Sequence, residues 1–329
     1  MAVTDKTLSF IVPAKNEEKY LGACLDSLLL AMNDRDDCEI IVIDNGSTDG
    51  TVEIARARGV RVLHRPGLTV SAMRNLGCAV AHGKFLAFVD ADVTIDSDWV
   101  ETALELMKPG GVAMVGASPG IPHDSTWVAK AWHLQVQARR QRSRRQWLES
   151  MNMIVRKEVF HAVGGFDESL ITCEDVDLGY RVGQSHQIWN DATLKAIHYG
   201  EAQTLRRFFS KEVWRGTSNF EGAWRHGLVL GEVPSLIQPL LTLVGLGLLV
   251  VSAFMGSLLL SIAGLACLSL FPGLKALLIA TRAGAMRSLL PLFAIWIVYS
   301  IARTTSFLIE CKSLLKSLTF PKIRAGKVR

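Results

Sequence analysis

Between Leu8 and Val115, short apolar runs alternate with segments whose apolar positions recur at helical spacing, and that alternation leaves few folds open. Leu8–Val12 is a strand-like run that stops at Pro13. Asn16 is placed to cap a helix with Leu21, Cys24, Leu25, Leu28 and Leu29 along one face. Glu39–Asp44 reads as a buried strand broken by Gly46, Ser47 and Asp49, and Thr51–Arg58 as a helix closed by Gly59. Val60–Leu63, Phe85–Val89 and Val112–Val115 read as further strands, with helices over Leu68–Ala81 and Trp99–Met107. Strands joined by helices require right-handed crossovers, so the expected class is α/β: a mostly parallel sheet flanked by helices.

Ligands of such sheets bind outside the carboxyl ends of the strands. Polar residues gather at those ends here: Asn16 and Glu17, then Asp44, then His64 and Arg65, then Asp90 and Asp92. One acid after a strand is an ordinary turn former. Successive strand ends carrying such groups on one sheet edge point to a site. Asp90-Ala91-Asp92 is the sharpest signal, because two carboxylates two residues apart can share one hard cation. Mg²⁺ or Mn²⁺ suits oxygen ligands and keeps positions for phosphate oxygens. Elsewhere such a pair is most often a solvated turn; the preceding buried strand favours a metal.

The chain has 329 residues, 49% of them hydrophobic and 20% charged, and those averages hide a split. Up to about residue 230 charged and apolar positions mix, whereas no charge falls between Val233 and Phe271. The stretch from Leu236 to Phe271 is too long for one membrane span of ~20 residues and suits two, with Gly256-Ser257 as the turn. The segment Lys275–Arg287 then reads as a loop on the side of the N-terminal domain. Leu289–Ile309 is either a third span or an interfacial or re-entrant helix. Arg303 inside it, and the lysines and arginines after it, favour two spans with a cytosolic basic tail. The net charge of +5, without an aromatic-interleaved basic stripe, excludes nucleic acid as the expected partner and favours membrane lipid. Cys24, Cys38, Cys78, Cys173, Cys267 and Cys311 are scattered, as small buried residues in a reducing compartment are. Met1–Thr7 lacks signal-peptide features, so the N-terminal domain is expected in the cytoplasm.

Taken together, Val12-Pro13-Ala14-Lys15-Asn16-Glu17-Glu18, Val42-Ile43-Asp44-Asn45-Gly46-Ser47-Thr48-Asp49-Gly50-Thr51, Arg74-Asn75-Leu76-Gly77 and Phe88-Val89-Asp90-Ala91-Asp92 resemble the motifs of family 2 glycosyltransferases. Asn152-Met153, Gly164-Gly165-Phe166-Asp167-Glu168 and Glu174-Asp175-Val176-Asp177-Leu178 are similar to later motifs of that family, in the same order. The resemblance implies a GT-A fold, a nucleotide-diphosphate sugar donor, a divalent metal and inversion at the anomeric carbon. It implies that Asp44 hydrogen-bonds the nucleobase, with Pro13, Asn16 and Glu17 shaping that end of the pocket. Asp90 would meet the ribose or the metal, and Asp92 the metal. Arg74 would face the diphosphate, or else pair with an acid on a helix surface. The family's base falls at Glu174-Asp175; Asp175 is the first candidate, Glu174 the second and Asp177, which can pair with Arg181, the third. His198 is either a metal ligand or a structural histidine, and the remaining histidines have no comparable context.

Polymer-making members carry a Gln-x-x-Arg-Trp motif before a span, and Arg206–Arg215 lacks it, which implies transfer of single sugars. That segment suits an amphipathic helix at the lipid headgroups. The run Arg139–Arg145 is either a solvated face or a holder of acceptor or headgroup phosphates. The expected organisation is a catalytic domain over 1–203, an interfacial region over 204–232 and a membrane region over 233–329. The expected function is metal-dependent sugar transfer to a lipid-linked or cell-envelope glycan acceptor at the inner membrane. The alternatives are a polyprenyl-phosphate monosaccharide synthase and a non-catalytic membrane scaffold.

Overall fold

The computed structural model describes residues 6–137, 142–217 and 233–319. The chain divides into two compact units, Met1–Glu201 and Ala202–Arg329. In the first, β1 (Lys6–Ala14), α1 (Leu21–Met32), β2 (Cys38–Asp44), α2 (Thr51–Ala57), β3 (Arg61–His64), α3 (Val70–Val80) and β4 (Gly83–Val89) follow one another. Their strands lie in the order β3-β2-β1-β4 and all run parallel. The apolar runs have no polar alternation because both faces are covered. Phe10, Val12, Ile40 and Val42 pack with α1 on one face, and Ile11, Ile41 and Ile43 face the other core. On that second face a Cβ on Gly77 of α3 would come within 2.6 Å of Ile11 Cγ2, so α3 lies nearly on the strands.

Past β4 the sheet becomes mixed. The chain continues through β5 (Val93–Ile95), α4 (Trp99–Leu106), β6 (Val112–Gly116), α5 (Trp127–Gln137), β7 (Ser143–Arg144), β8 (Asn152–Arg156), α6 (Lys157–Ala162), α7 (Glu174–Gly183), β9 (Gln187–Asn190) and β10 (Ala196–His198). β8 inserts antiparallel between β4 and β6, giving eight strands in the order β3-β2-β1-β4-β8-β6-β9-β7. Asn152 at the start of β8 is fully buried: it accepts from Trp99 Nε1 at 2.8 Å and donates to the carbonyls of Ala117 and Leu194, both at 2.9 Å. One side chain thus joins three segments.

Two local expectations are corrected. Asn16 does not cap α1, whose N-cap is Tyr20; Asn16 sits at φ 55 and turns its side chain to a neighbouring loop. Pro13 does not end β1, which runs to Ala14. Pairing of β1 with β4 stops at Ile11, so the missing N–H of Pro13 costs no ladder bond there, while pairing with β2 continues to Ala14.

The second unit holds α8 (Leu205–Gly216), α9 (Val233–Met255), α10 (Leu258–Arg282) and α11 (Leu289–Thr319). Among the described residues three windows are long and apolar enough to cross a membrane: Leu236–Met255, Leu258–Arg282 and Met286–Lys312, with mean hydropathies of 2.1, 2.0 and 1.6. Gly256, at φ +64, and Ser257 make the turn between α9 and α10. The segment expected as a loop from Lys275 is helical to Arg282. The third apolar stretch is one unbroken helix. Arg303 within it is only 12% exposed and donates to Glu212 of α8 at 3.0 Å, while Glu212, 1% exposed, also accepts from Arg215 at 2.7 Å. An arginine paired inside a helix bundle does not meet lipid, which removes the objection that its charge raised against a third span. Ser306 donates to the Val213 carbonyl at 2.7 Å, and a Cβ on Gly216 would strike Ser306, so α8 lies close along α11. Residues 218–232, Arg139, Arg140 and the basic tail after Thr319 lie outside the described residues.

Candidate active site

The β1–α1 and β2–α2 loops are laced together at the carboxyl edge of the sheet. The Asn16 amide N–H donates to Ser47 Oγ at 2.9 Å, and Asn16 Oδ1 accepts from Thr48 N at 2.9 Å. Glu17 N donates to Thr51 Oγ1 at 2.8 Å. Beside them Asp44, wholly buried, spends its carboxylate inside the edge: it accepts from Gly46 N at 3.1 Å, Ser47 N at 3.2 Å and His64 Nδ1 at 2.7 Å. Pro13 lies buried on β1 opposite Ile43.

Arg74 joins motifs that are far apart in sequence. It is 3% exposed, with Nη2 at 2.8 Å from Asp90 Oδ1 and Nη1 at 2.8 Å from Glu174 Oε1. Burial opposes its charge, but the two carboxylates keep it protonated. It is therefore neither on the helix surface nor turned to open solvent. Next to it Asn75 brackets Phe166, accepting from its N–H at 2.9 Å and donating to its carbonyl at 2.9 Å, which seats the Gly164–Glu168 motif against α3.

Asp175 begins α7 beside Glu174. Part of its surface is accessible, yet the protein packed round it, then the charges of Glu174 and Glu149, push its carboxyl up to about 7, with Arg74 pulling the other way. A carboxyl poised there is matched to proton transfer near neutral pH. Asp177 is tied to Arg181 four residues on, with Nε at 2.9 Å, and so is withdrawn from the base role. A cavity of about 610 Å³ lies in the same unit, with Glu149, Trp147, Arg145, His133 and Asn190 in its wall. Gly179 of α7 fits tightly against Trp147, so this wall and the helix carrying Asp175 are fixed to each other.

Asp92 and His198 meet because β5 and β10 pair antiparallel with Val93 opposite His198. His198 Nε2 is 3.2 Å from Asp92 Oδ2, and its Nδ1 is 3.2 Å from Glu201. Burial disfavours the imidazolium, but these two carboxylates outweigh it and lift His198 to about 9. Glu17, half-buried, is raised to about 7 by burial and then by Asp92, Asp90 and Asp49, so this edge carries a concentrated negative field. Among the described residues no three His, Cys, Asp or Glu side chains are gathered to hold an ion by themselves. The donor chemistry still fits a hard cation completed by ligand oxygens: Asp92 offers oxygen, His198 Nε2 nitrogen, and the Gly200 backbone comes so close that a Cβ there would collide with Asp92 Oδ2, at 1.9 Å, and press on His198 Nε2, at 2.8 Å. Asp90 is engaged by Arg74. Gly200→Ala is expected to raise the Mn²⁺ needed for half-maximal activity by about tenfold or more, with the fold kept. A metal titration checks this, and an unchanged requirement would take Asp92 and His198 out of the metal site.

Sequence alone does not single out Gly200, Glu201, Glu149 or the link from His64 to Asp44. Only the carboxyl-edge position of His64 was visible beforehand; the others depend on pairings across the fold. Arg142, from the basic run, lies 3.5 Å from Asp191 and over the Trp189 ring.

Residues 9–165 match the family described as Glycosyl transferase family 2. The chain is 27% identical over 247 residues to Glycosyltransferase AglE of Haloferax volcanii, covering 65% of this chain and 81% of that one. It is 28% identical over 226 residues to the Succinoglycan biosynthesis protein ExoA of Rhizobium meliloti, covering 63% and 67%. Among solved structures it is similar to the mannosyltransferase PcManGT from Pyrobaculum calidifontis, in complex with GDP-Man and Mn²⁺, with a TM-score of 0.63 and 16% identity over 94% of this chain and 89% of that one. The parallel half-sheet, the carboxylates at its strand ends and these matches agree: residues 9–165 form a glycosyltransferase family 2 domain, on a GT-A fold, and the chain carries C-terminal apolar helices fit to anchor it in a membrane.

Proposed function

We propose that this chain moves one sugar at a time from a nucleotide-diphosphate donor, with Mg²⁺ or Mn²⁺, to a lipid-linked or cell-envelope glycan acceptor at the cytoplasmic face of the inner membrane. Inversion at the anomeric carbon and Asp175 as general base belong to the same reading. The observation that carries it is the environment of Asp175, whose carboxyl is raised to about 7 beside the Arg74–Glu174–Asp90 network. An acceptor hydroxyl is a poor nucleophile until a base takes its proton. Asp175 takes that proton as the oxygen bonds to the anomeric carbon and the nucleoside diphosphate leaves from the opposite face. A bound divalent cation would offset charge on the departing diphosphate. Glu174 and Asp90, both held by Arg74, keep the base and the metal edge in register. The cavity of about 610 Å³ has room for a glycan acceptor, and Glu149 in its wall also acts on Asp175. Asp44, Asn16, Glu17 and Pro13 form the nucleotide end.

The relatives' names support this choice of substrates: one acts in succinoglycan biosynthesis, and the Pyrobaculum enzyme binds GDP-Man and Mn²⁺. The three apolar helices support a multi-pass anchor over 233–329, preceded by an interfacial region over 204–232 and a catalytic domain over 1–203. The test is release of nucleoside diphosphate by the detergent-solubilised chain over a panel of nucleotide-sugars, with native lipid and Mg²⁺ or Mn²⁺. One donor should turn over, and Asp92→Ala should lower the rate by about a hundredfold or more. Turnover indifferent to metal and to Asp92→Ala would overturn the reading. So would silence on every donor.

A further inference from the structure

The basic run between α5 and β8 divides in the fold. Arg142 lies 3.5 Å from Asp191 and over the Trp189 ring, so its charge is answered within the protein. Arg144 and Arg145 instead stand in the wall of a second cavity, of about 340 Å³, together with Gln146, Tyr180 and His186. Among the described residues no carboxylate lines this cavity, whereas the larger one mixes Arg145 and Lys195 with Asp96 and Glu149. The two cavities share Arg145 and Gln146 in their walls. His186 Nδ1 is buried without a hydrogen-bond partner among the described residues, which leaves a polar atom for an occupant to satisfy. The wall itself is fixed. Arg144 pairs opposite Trp189 of β9, and Arg145 N donates to the Ile188 carbonyl at 2.9 Å. Tyr180 of α7 donates from its hydroxyl to Gln146 Oε1 at 3.2 Å. A Cβ on Gly179 of α7 would come within 2.7 Å of the Gln146 carbonyl. These arginines are therefore mounted between β9 and the helix that carries Asp175.

We propose that the smaller cavity holds a phosphate group of the acceptor, so that the acceptor is an anionic, phosphate-linked glycan whose sugar lies in the larger cavity. The inference rests on the transferase reading above and narrows its acceptor. A guanidinium fork matches two phosphate oxygens at once and stays charged at any working pH. Its hydrogen bonds to an anion are roughly twice as strong as those between neutral groups, so a wall with two arginines and no acid favours phosphate over a neutral sugar. A membrane headgroup or free phosphate offers the same chemistry. The Arg145–Gln146 partition, common to both cavities, favours a phosphate joined covalently to the acceptor sugar.

The test uses the full chain in phosphatidylcholine nanodiscs and has two arms. The first is calorimetric binding of inorganic pyrophosphate in EDTA, where no metal draws it to the donor site. Arg144→Ala combined with Arg145→Ala is expected to weaken pyrophosphate by about tenfold or more, and Arg142→Ala by less than about twofold. Nucleoside diphosphate binding with Mn²⁺ should stay near wild type in both, which shows that the fold is kept. The second arm is sugar transfer to a native lipid extract. The double variant should need about tenfold more extract for half-maximal rate, with the KM for donor unchanged. No pyrophosphate binding, or equal losses in Arg142→Ala and the double variant, would overturn the proposal and leave the transferase reading intact. So would a lost pyrophosphate site with an unchanged need for extract, which would mean that the cavity takes free phosphate. If discs half of phosphatidylglycerol weaken pyrophosphate as far as the double variant does, the cavity takes headgroups and the acceptor assignment falls. A wild type that transfers no sugar from any donor would overturn both readings.

Discussion

Asp175→Asn is expected to lower kcat by about 10²- to 10⁴-fold while nucleoside diphosphate binding stays near wild type. The amide keeps the shape of the carboxyl and removes its ability to take a proton, so ground-state binding has no reason to change. The wild type should show kcat rising with pH to a plateau, with its midpoint near 7, because the base works only when ionised and its carboxyl is raised to about 7. Stability gives an independent reading with a definite sign. From the ordinary value of 3.8 up to about 7, the folded chain holds a proton on Asp175 that the unfolded chain has released. Stability therefore falls as pH rises through that window. The Asn variant has no such group, so its melting temperature relative to wild type should climb between pH 4 and pH 7 and level off above. Thermal scans in detergent at a series of pH values check this. A flat difference would mean that Asp175 titrates at its ordinary value, and transfer retained within tenfold would pass the base role to Glu174.

Arg74→Ala is expected to destabilise the fold by about 3 kcal/mol, because it strands two partly buried carboxylates rather than because it deletes a contact. Glu174 is 12% exposed and loses the guanidinium that pairs with it, while Asp90, at 29%, keeps some access to water and contributes less. For a unit of this size the melting temperature should fall by about 10 °C. Activity should fall with it, since Arg74 lowers the Asp175 carboxyl and its removal lets that group rise further, shifting the ascending limb of the pH profile to higher pH. Arg74→Lys keeps the charge but lacks the planar fork that reaches Asp90 and Glu174 together, so it should fall between the two. A cost below about 1 kcal/mol for Arg74→Ala would show that the carboxylates relax to water instead.

The sheet was legible from Leu8 to Val89 because strands buried on both faces leave uninterrupted apolar runs, and the turns between them are marked by Gly46, Gly59 and Gly83. The antiparallel insertion of β8 was not legible, since its five residues, Asn152–Arg156, read alike in either direction. Asn16 looked like a helix cap because cap residues and loop-lacing residues share one chemistry; only the approach of the Ser47–Thr48 loop decides between them. Arg303 counted against a third span for a similar reason: a charge in an apolar run carries no mark of its partner, and Glu212 lies 91 residues away.

By itself the sequence determined the order of elements, the edge on which polar groups collect, the acid pair Asp90 and Asp92, and the long apolar tail. All of these follow from periodicity and neighbours a few residues apart. Tertiary structure alone decided which acids meet which bases. Arg74 bridges to Asp90 and Glu174 across separations of 16 and 100 residues, and His198 reaches Asp92 across 106. It also decided that Asp44 is sealed under His64, and that Asp175 rises to about 7 while Asp177, two residues on, is neutralised by Arg181. Burial and the nearest opposite charge set the chemistry of a carboxylate, and both belong to the fold rather than to the residue.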